Sequence, residues 1–382
     1  MKILYVITHP NKGGTQTYVY HLASTLRAQG DSITLGTGSR GWLSNELEKQ
    51  GVKSVMFKFL RRTYNPLSNL FFTIEMLLFV RRHQFDIIHF NSSNPLFGIL
   101  GAFISRRPST KIVFTVHGLS LLDPGWKKSR LIQWAYRLVM TLILPYVNHC
   151  IFVCERDCTY AQRKKIIHPK KQFSIIYNGI RDDVVELDRY ASRNYFGRIA
   201  QKNFLDTIII GTIARLHYQK NIDLLISSAR KLRIPNVVFF ILGTGPEKKR
   251  LNDLIREYTL HDSCFIFDIP EPRIYIKAFD IFISSSRYEG IPFTIMEAMK
   301  NKLPIIATDV GGVSEVLQQG NSGIIVNSEN TDELVRAIQL LIQNPPQALT
   351  IGNSAFRVVQ TKFTLERMVS ETRALYTLLL ES

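Results

Sequence analysis

The chain of 382 residues lacks a long uninterrupted apolar run. A helix that spans a bilayer needs about 20 consecutive apolar residues. The two longest candidates, residues 67–80 and 131–153, are both broken by polar or charged side chains. The first ten residues, MKILYVITHP, also lack the long apolar stretch and the small-residue cleavage site of a signal peptide. The sequence therefore predicts a cytoplasmic protein that can attach peripherally to the inner face of the cytoplasmic membrane.

Cysteine is also scarce. The chain has four cysteines, which are Cys150, Cys154, Cys158 and Cys264. The first three are spaced by four residues, which would suit a metal site on one helical face. Cys150, however, belongs to the apolar run HCIFVC, which predicts a buried strand. The three thiols would then not share a face, so we expect reduced, structural cysteines rather than a metal site.

Acidic residues are few in the first half of the chain. Residues 1–182 hold 25 Lys and Arg against 9 Asp and Glu, whereas residues 183–382 hold 23 against 22. The formal net charge of +17 therefore lies almost entirely in the first half. A basic half predicts an anionic partner, such as a membrane surface, a lipid phosphate or a nucleic acid. A generally basic surface without such a partner is the alternative.

Apolar strand-like runs alternate with helical segments along the whole chain, which predicts α/β layers with parallel sheets. The runs lie at residues 2–8, 86–90, 111–117, 149–154, 173–179, 207–216, 236–245, 264–269, 280–286, 304–310 and 322–327. Length and pattern predict two doubly wound domains, residues 1–182 and 207–363, joined by a polar linker at 183–206. A C-terminal helix at 364–382 is expected to pack back on the first domain. Ligands of such domains bind at the carboxyl ends of the strands.

Glycines and histidines follow the strands of the first half. Gly13 and Gly14 stand between the first strand and the next helix, where a backbone without side chains can approach a phosphate or sugar. His9 and His117 each end a strand, so both could face one cleft. Each feature has a structural alternative, because a tight turn also uses glycine and a histidine at a strand end can serve packing alone.

Cations and glycines follow the strands of the second half. Arg215 closes one strand, and Lys220 comes five residues later near a helix start. An Arg that bonds two oxygens and a Lys that acts as a point charge together suit a diphosphate. Gly243 and Gly245 follow the next strand in GTGPE and suit contact with a phosphate or ribose. Two solvated surface cations and a plain turn are the alternatives.

The most informative segment is SSSRYEGIPFTIMEAM, residues 284–299, which contains Glu289 and Glu297. A glycine and a proline predict a loop over residues 289–294, and the next helix is expected to begin near Thr294 or Ile295. Glu297 would then lie in the first helical turn, among unpaired N–H groups. One carboxylate can accept hydrogen bonds from sugar hydroxyls and the other from a ribose. A Glu that only suits the helix dipole is the alternative.

Taken together and in this order, the segments resemble a family-4 glycosyltransferase of the GT-B fold over essentially the whole chain. The matching pieces are GGTQTYVYHLA, TVHGL, YNGI, ARLHYQKNIDLLI, GTGPEKKRL, SSSRYEGIPFTIMEAM and DVGGVSEVL. The resemblance implies two Rossmann-like domains that face a central cleft. It also implies an enzyme that transfers a hexosyl-type sugar from a nucleotide-diphosphate sugar, with a UDP-sugar expected, and retains the anomeric configuration. The chain is similar to bacterial capsule and lipopolysaccharide glycosyltransferases.

The resemblance assigns roles by motif. Catalysis falls to His117, Arg215, Lys220 and Glu289: the two cations hold the diphosphate, Glu289 bonds the donor sugar, and His117 lies near the C6 side of that sugar. Donor binding falls to Gly13, Gly14, Gly243, Gly245, Gly290, Ile291, Pro292, Phe293, Thr294 and Glu297. Glu297 would bond the ribose. No metal or other cofactor is implied, which agrees with the lack of an Asp-x-Asp pair in the sequence.

The chain departs from the family pattern at a few positions. Asn221 stands where a Gly usually follows the Lys, and Ile291 and Pro292 replace the commoner Phe-Gly. Cys154 replaces a frequent Ser, and Asp268 replaces a frequent Gly. None of these changes removes a charge from the site. They are therefore expected to affect which donor sugar fits.

The basic first domain is the acceptor domain in this architecture, and its basic clusters are interleaved with aromatic and apolar residues. That mixture suits an anionic bilayer surface and a saccharide or polyprenyl-linked acceptor used in surface-polysaccharide or glycolipid synthesis. The acceptor or membrane face is expected to include His9, Arg61, Arg62, Arg81, Arg82, Trp126, Lys127 and Lys128. No nucleic-acid partner is expected.

Two other functions fit parts of the sequence. A nucleotide-sugar epimerase of the same fold would turn over the donor with no acceptor present. A basic nucleic-acid-binding protein would account for the charge but would leave the residues at the strand ends unexplained.

Overall fold

The computed structural model describes residues 1–63, 65–119, 122, 129–168, 170–181, 185–232 and 234–382. The chain divides into two compact units. The first comprises Met1–Gly179 together with Leu365–Ser382, and the second comprises Ile180–Thr364. The C-terminal segment thus belongs to the unit that the first half of the chain forms.

The first unit is built on a parallel sheet that has seven strands within the described residues. They are β1 (Lys2–Ile7), β2 (Ser32–Thr37), β3 (Lys53–Met56), β4 (Ile87–Asn91), β5 (Lys111–Val116), β6 (His149–Phe152) and β7 (Phe173–Ile175). Their spatial order is β3-β2-β1-β4-β5-β6-β7. The chain moves outward from β1 on one side and from β4 on the other, so the switch point of this doubly wound sheet lies between β1 and β4.

The second unit contains a parallel sheet of six strands in the part of the chain that is described. They are β8 (Ile208–Ile213), β9 (Val237–Leu242), β10 (Cys264–Phe267), β11 (Ile281–Ser284), β12 (Ile305–Thr308) and β13 (Ile324–Val326). Their spatial order is β10-β9-β8-β11-β12-β13. All six residues of β9 are buried, because helices cover both faces of a doubly wound sheet. The prediction of two doubly wound α/β domains is therefore confirmed.

The helices connect the strands and form the outer layers of each unit. Those of the first half are α1 (Gly14–Ala28), α2 (Trp42–Glu48), α3 (Pro66–Arg82), α4 (Gly98–Ser105), α5 (Arg130–Ile143) and α6 (Glu155–Arg163). They are followed by α7 (Arg189–Ala200), α8 (Ile222–Leu232), α9 (Lys248–Glu257), α10 (Phe293–Lys300), α11 (Val313–Leu317), α12 (Thr331–Gln343), α13 (Pro345–Lys362) and α14 (Leu365–Glu381). No helix among the described residues has the length and apolar character to cross a bilayer.

Helix α14 packs within the first unit through one apolar stripe and several polar contacts. Its buried residues recur at helical spacing and include Met368, Leu375 and Leu379. The hydroxyl of Tyr376, also on this face, lies 2.5 Å from Nδ1 of His89 on β4. The interior of the sheet thus supplies both an apolar surface and a hydrogen-bond partner for the end of the chain.

The predicted linker at residues 183–206 is wrong, because the structure places α7 there as part of the second unit. The segment reads as polar, but Arg193 is buried with its guanidinium donating to the carbonyl oxygens of Leu205, Thr207 and Ala278. It also pairs with Asp280 at 2.6 Å. A polar side chain whose hydrogen bonds are all made to protein groups can lie in the interior. The polar composition of this segment therefore places the boundary between the two units wrongly.

Strands β2 and β3 are absent from the sequence prediction. β2 is the mixed run SITLGT, and β3 is a four-residue edge strand whose side chains are exposed or half-buried. Neither has the continuous apolar character that marks the central strands.

Candidate active site at the carboxyl edge of the strands

The second sheet has its switch point between β8 and β11. The chain leaves β8 toward β9 on one side and leaves β11 toward β12 on the other. The loops after β8 and β11 therefore diverge and leave a crevice at the carboxyl ends of the strands, where doubly wound sheets bind ligands. Arg215 and Lys220 follow β8, and Glu289 follows β11. The topology thus brings Glu289 to the loop that carries Arg215 and Lys220, although Glu289 lies 69 residues after Lys220 in the sequence.

Glu289 is the centre of a cluster of polar contacts. Its Oε1 forms an ion pair with Lys220 and accepts a hydrogen bond of 2.7 Å from Ser286 Oγ. Its Oε2 accepts a longer hydrogen bond of 3.4 Å from Gln219 Nε2. The side chain of Glu289 is 9 % exposed and that of Lys220 is 22 % exposed. A carboxylate can be this buried because three donors satisfy it.

The 3-10 turn Tyr218–Lys220 is held in place by Arg287 from the loop after β11. The guanidinium of Arg287 donates to the carbonyl oxygen of Tyr218 at 2.6 Å and lies over the Tyr218 ring at 4.1 Å from its centroid. Ser285 Oγ donates to the carbonyl oxygen of Lys220 at 2.9 Å. The loop after β11 therefore sets the position of Lys220.

Arg215 lies exposed two residues beyond the end of β8. In the described part of the chain, no ion pair or hydrogen bond holds its side chain. Lys220 is neutralised by Glu289, whereas the charge of Arg215 is uncompensated. The three side chains together therefore carry one excess positive charge that faces solvent.

Two of the predicted donor-binding glycines approach a neighbouring backbone too closely for any side chain. A Cβ atom at Gly243, where φ is +151°, would lie 2.1 Å from the carbonyl oxygen of Ala214. A Cβ atom at Gly245 would lie 2.2 Å from the carbonyl oxygen of Leu216. The GTGPE loop is therefore packed directly on the backbone that carries Arg215, so these glycines set the position of that loop.

A third glycine supports the backbone of Glu289. Gly311, after β12, has a φ of +52°, and a Cβ atom there would lie 1.8 Å from the carbonyl oxygen of Glu289. The adjacent Gly312 donates its N–H to the carbonyl oxygen of Gly290 at 2.9 Å. The loop after β12 thus braces the segment that carries the carboxylate.

Helix α10 begins earlier than the sequence predicts. Pro292 is its N-cap and Phe293 its first residue, because the fixed φ of proline suits the position before a helix. Glu297 is therefore the fifth helical residue, and its predicted place in the first turn is wrong. Of the other residues predicted to bind the donor in this segment, Gly290, Ile291 and Pro292 are buried, and Phe293 and Thr294 are half-buried.

Asn221 shows how the chain accommodates one departure from the family pattern. Its φ is +48°, in the left-handed region that glycine adopts without strain. Asparagine is several-fold enriched among the non-glycine residues found there. The replacement therefore keeps the backbone turn that follows Lys220, and it adds a side chain that is fully buried.

In the first unit, the predicted residues lie at the carboxyl edge of the sheet. Helix α1 begins at Gly14 with Gly13 as its N-cap, and both glycines are exposed. His9 follows β1 and is exposed, whereas His117 follows β5 and is half-buried. Strand β4 lies between β1 and β5, so the two histidines stand on either side of it.

His117 is a neutral imidazole. Its Nε2 lies 2.9 Å from Oδ1 of Asn91, the last residue of β4. The ring of Tyr18 packs against it edge to face, with 4.6 Å between the ring centroids. Burial lowers the pKa of His117 to about 3, so the ring carries no charge at pH 7.

The predicted basic residues lie around α3. Arg61 and Arg62 precede the helix, and Arg81 and Arg82 form its last turn. All four are exposed. The other predicted members of the acceptor face, Trp126, Lys127 and Lys128, lie outside the described residues.

Within the described ranges, no group of three or more His, Cys, Asp or Glu side chains could hold a metal ion. The four cysteines form no disulfide bond, and all of them are buried. Burial raises the pKa of Cys150 and of Cys264 to about 12, which keeps both thiols protonated.

Three residues that build the site cannot be picked out from the sequence. Gln219, Ser286 and Arg287 each lie next to or near a predicted charge, inside the quoted motifs. In a sequence they read as ordinary polar loop residues. Only their hydrogen bonds to the Glu289 carboxylate or to the 218–220 turn identify them as its supports.

Two family models match the chain, one in each half. The model described as Glycosyltransferase Family 4 matches residues 12–184, and the model described as Glycosyl transferases group 1 matches residues 198–358. Together they account for most of both units.

Two curated relatives from Escherichia coli match the chain at 24% and 25% identity. The enzyme named UDP-Gal:alpha-D-GlcNAc-diphosphoundecaprenol alpha-1,3-galactosyltransferase is 24% identical over 392 residues, covering 98% of this chain and 96% of the relative. The O-antigen biosynthesis glycosyltransferase WclY is 25% identical over 299 residues, covering 77% of this chain and 79% of the relative.

Solved structures match over nearly the full length. HepE from Anabaena, in complex with UDP, gives a TM-score of 0.80 at 18% identity and covers 99% of this chain and 100% of that one. Sucrose-phosphate synthase from Thermosynechococcus elongatus gives 0.83 at 20% identity and covers 99% of each. These likenesses show the GT-B fold. With the site at the switch point of the second sheet and the family matches in both halves, the chain belongs to the family-4 glycosyltransferases and is an enzyme of that class.

Proposed function

We propose that this enzyme transfers a sugar from a UDP-sugar to a lipid-linked saccharide in the synthesis of surface polysaccharide or glycolipid, with retention of anomeric configuration. The observation that carries the proposal is the Lys220–Glu289 ion pair beside the exposed Arg215 at a sheet switch point. A sugar diphosphate needs cations for its phosphate oxygens and an acceptor for its sugar hydroxyls. This cluster supplies both within one loop assembly.

The cations act on the leaving group. As the bond between the sugar and the diphosphate lengthens, negative charge builds on the phosphate oxygen that departs. Arg215 and Lys220 stabilise that charge, and preorganised stabilisation of this kind is usually the largest catalytic term. The charge is thus met by side chains of this chain, so we propose that the reaction needs no added metal. Activity that EDTA leaves unchanged is the expected result.

The departing phosphate also accounts for the retained configuration. Its oxygen can take the proton of the acceptor hydroxyl as that hydroxyl attacks the same face of the sugar. Bond cleavage, proton transfer and attack then occur on one side. Glu289 is already engaged by Lys220 and Ser286, so we assign it to holding sugar hydroxyls rather than to attacking the sugar.

The proposed donor and acceptor follow the relatives. The similar E. coli galactosyltransferase is named for a UDP-sugar donor and a diphosphoundecaprenol-linked acceptor. The similar HepE structure contains UDP. We extend a uridine donor and a lipid-diphosphate acceptor to this chain, because the excess positive charge of residues 1–182 suits an anionic, membrane-borne acceptor.

Helix α3 presents an apolar stripe to solvent. Its exposed apolar residues recur three and four positions apart, which places them on one helical face. They are Leu67, Leu70, Phe71, Ile74 and Leu78. Basic residues flank the stripe at both ends of the helix, with Arg61 and Arg62 before it and Arg81 and Arg82 in its last turn.

Helix α5 carries a second stripe of the same kind. Leu131, Trp134, Leu138 and Leu142 are all exposed and share one face, with Trp134 61 % exposed. Both α3 and α5 pack against the 3-10 turn Asn94–Phe97, so the two helices lie on the same part of the first unit. We propose that these stripes enter the boundary region of an anionic bilayer while the arginines meet its phosphates.

Vesicle flotation tests the membrane proposal. The protein should float with vesicles that contain phosphatidylglycerol and should bind vesicles of phosphatidylcholine much less, because each basic residue near an anionic surface contributes about 1 kcal/mol. A double variant, Leu131→Ser with Trp134→Ser, should lose most of that binding. The matched control is Leu349→Ser on α13 of the second unit, where the leucine is 63 % exposed. Equal flotation of the double variant and the control would contradict the proposal.

Nucleotide binding and product analysis test the reaction. UDP should raise the melting temperature more than GDP or ADP, since a ligand at about 100 times its Kd adds about 2.7 kcal/mol to the stability of the folded state. Incubation with UDP-glucose, UDP-galactose or UDP-N-acetylglucosamine and an undecaprenyl-diphosphate-linked sugar should give a product with the donor's anomeric configuration by NMR. An inverted product, or isomerisation of the donor without any acceptor, would overturn the proposal.

A further inference from the structure

The loops that lead into β5, β6 and β7 carry many cations. These strands are neighbours in one parallel sheet, so the three loops meet at its amino edge, opposite the edge that holds His9 and His117. The segments 103–111, 142–150 and 163–173 together contain eight Lys and Arg and no Asp or Glu. The amino edge of the first unit is therefore strongly basic at these strands.

Two of these cations, Arg106 and Lys171, are held by the loop that leads into β6. Arg106 Nη1 donates to Oδ1 of Asn148 at 2.9 Å and to the carbonyl oxygen of Thr110. Lys171 Nζ donates to the carbonyl oxygen of Val147, the residue before Asn148. Both side chains are half-buried. The structure therefore anchors two positive charges on adjacent residues of one loop.

Their partners are neutral oxygens, which do not balance these charges. In the part of the chain that the structure describes, neither Arg106 nor Lys171 forms an ion pair. Burial lowers the pKa of Arg106, and burial and the nearby Arg106 both lower the pKa of Lys171. Charges withdrawn from water are usually paired in proteins. An anion that contacts both side chains would relieve the repulsion between them.

The guanidinium of Arg106 has the geometry for such an anion. Its Cζ lies over the Phe103 ring, 4.9 Å from the centroid, which restricts the orientation of the guanidinium plane. Among the described residues only Nη1 forms hydrogen bonds, so Nε and Nη2 are available as donors. These two nitrogens form an edge that can bond two oxygens of one phosphate.

Exposed apolar side chains lie beside this pair of cations. Phe103 and Ile104 are in the last turn of α4, and the ring of the exposed Tyr146 lies 5.0 Å from that of Phe103. Leu142, the last residue of the exposed stripe on α5, comes four residues before Tyr146. A phosphate that carries hydrocarbon chains suits both the cations and this apolar surface, whereas inorganic phosphate suits only the cations.

We propose that Arg106 and Lys171 form a binding site for the phosphate group of a phospholipid, while the exposed apolar side chains beside them enter the boundary of its hydrocarbon chains. This site rests on the membrane contact proposed above for α3 and α5. It goes beyond the general attraction of a basic surface, because two particular side chains hold one phosphate. Arg106 bonds two of its oxygens, and Lys171 adds a point charge.

Titration with a short-chain lipid tests the site. The full-length protein is titrated by calorimetry with monomeric dihexanoyl-phosphatidylglycerol and, separately, with sodium phosphate. We expect the lipid to bind and inorganic phosphate to bind much more weakly. Arg106→Lys should weaken lipid binding by about tenfold, because it keeps the charge but loses the edge that bonds two oxygens. No binding of the lipid, or equal affinity for inorganic phosphate, overturns the proposal.

A charge-matched pair of variants separates a defined site from general attraction. Arg106→Gln with Lys171→Gln should lose most of the lipid binding. The control, Arg107→Gln with Lys170→Gln, removes two exposed charges from the same loops and should keep most of it. Equal loss in the two double variants overturns the site. Urea unfolding checks that each variant is folded, and Arg106→Lys decides the matter if the first double variant is not, since a lysine can still donate to Asn148.

Vesicle flotation separates this site from the wider membrane proposal. With vesicles that contain phosphatidylglycerol, Arg106→Lys should float less than the unsubstituted protein, although their net charges are equal. Unchanged flotation of this variant overturns the site. If the unsubstituted protein floats with no vesicle, the membrane contact of α3 and α5 is contradicted, while titration with the short-chain lipid still decides the phosphate site. Neither measurement depends on sugar transfer.

Discussion

Replacing Lys220 with Met should lower turnover sharply. Lys220 and Arg215 are the two cations assigned to the departing diphosphate, and Met keeps the length of the side chain without its charge. Loss of one preorganised group at a developing charge typically costs about 10²–10³ in kcat. Since each tenfold is about 1.4 kcal/mol, this is about 3–4 kcal/mol of transition-state stabilisation. The assay is UDP release from the accepted UDP-sugar in the presence of acceptor.

The same variant should cost little stability. Removing Lys220 leaves the Glu289 carboxylate, which is 9 % exposed, without its ion-pair partner. Loss of one partner from a fully buried pair costs about 3–5 kcal/mol, but here Lys220 is 22 % exposed and two further donors remain. We expect a loss of about 1–2 kcal/mol, measured by urea unfolding. If the variant remains folded, its loss of turnover reflects weaker stabilisation of the transition state and not unfolding.

Glu289→Gln should leave UDP binding at least as tight as before, whereas Lys220→Met should weaken it. Glu289 neutralises Lys220, so the neutral amide of the variant releases that charge toward a diphosphate. We expect UDP to bind at least as tightly as it does to the unsubstituted enzyme, while turnover falls because a sugar contact is weakened. Lys220→Met should instead weaken UDP binding. Calorimetric titration with UDP measures both.

A similar loss of UDP affinity in Glu289→Gln and Lys220→Met would refute this reasoning. If both variants weaken UDP binding to the same extent, then the ion pair only maintains the loop and Lys220 has no direct role at the diphosphate. Lys231→Met provides the control, because Lys231 pairs with Asp332 at 2.7 Å and both side chains are more than half exposed. Such surface pairs contribute about 0–1 kcal/mol, so stability and turnover should both remain near those of the unsubstituted enzyme.

Three further predictions concern stability and are checked by urea unfolding. Gly311→Ala should destabilise by at least about 1–3 kcal/mol, because φ is +52° there and a Cβ atom would meet the carbonyl oxygen of Glu289; a neutral effect would show that this loop can shift freely. At position 221, Asn221→Ala should be less stable than Asn221→Gly by about 1 kcal/mol, since φ is +48°, and the reverse order would contradict a left-handed turn. Burial lowers the pKa of His89 to about 3, so the unfolded chain takes up a proton near pH 6.5 that the folded chain does not. Stability should therefore fall as the pH drops from 6.5 toward 3, by about 1.4 kcal/mol per pH unit for this histidine, and His89→Gln should remove that part of the slope.

The fold class could be predicted because its signals are local. The central strands, such as β9 with the sequence VVFFIL, are apolar throughout, since both faces of a doubly wound sheet are covered. The short edge strand β3, with the sequence KSVM and no buried side chain, carries no such signal and accordingly escapes prediction. The polar segment that holds α7 reads as a linker, because its buried Arg193 is satisfied by carbonyl oxygens from distant parts of the chain.

The sequence by itself determined which charges and glycines follow which strands, and therefore where a diphosphate site could form. Motif spacing fixes these positions because each lies within a few residues of a strand end. Only the tertiary structure decided how they are held. The Glu289 carboxylate meets Lys220 because β8 and β11 are neighbours in the sheet, and Asn91 meets His117 because β4 and β5 pair in one register. Contacts of this kind join residues from separate strands, so no local pattern can specify them; the packing of the whole sheet does.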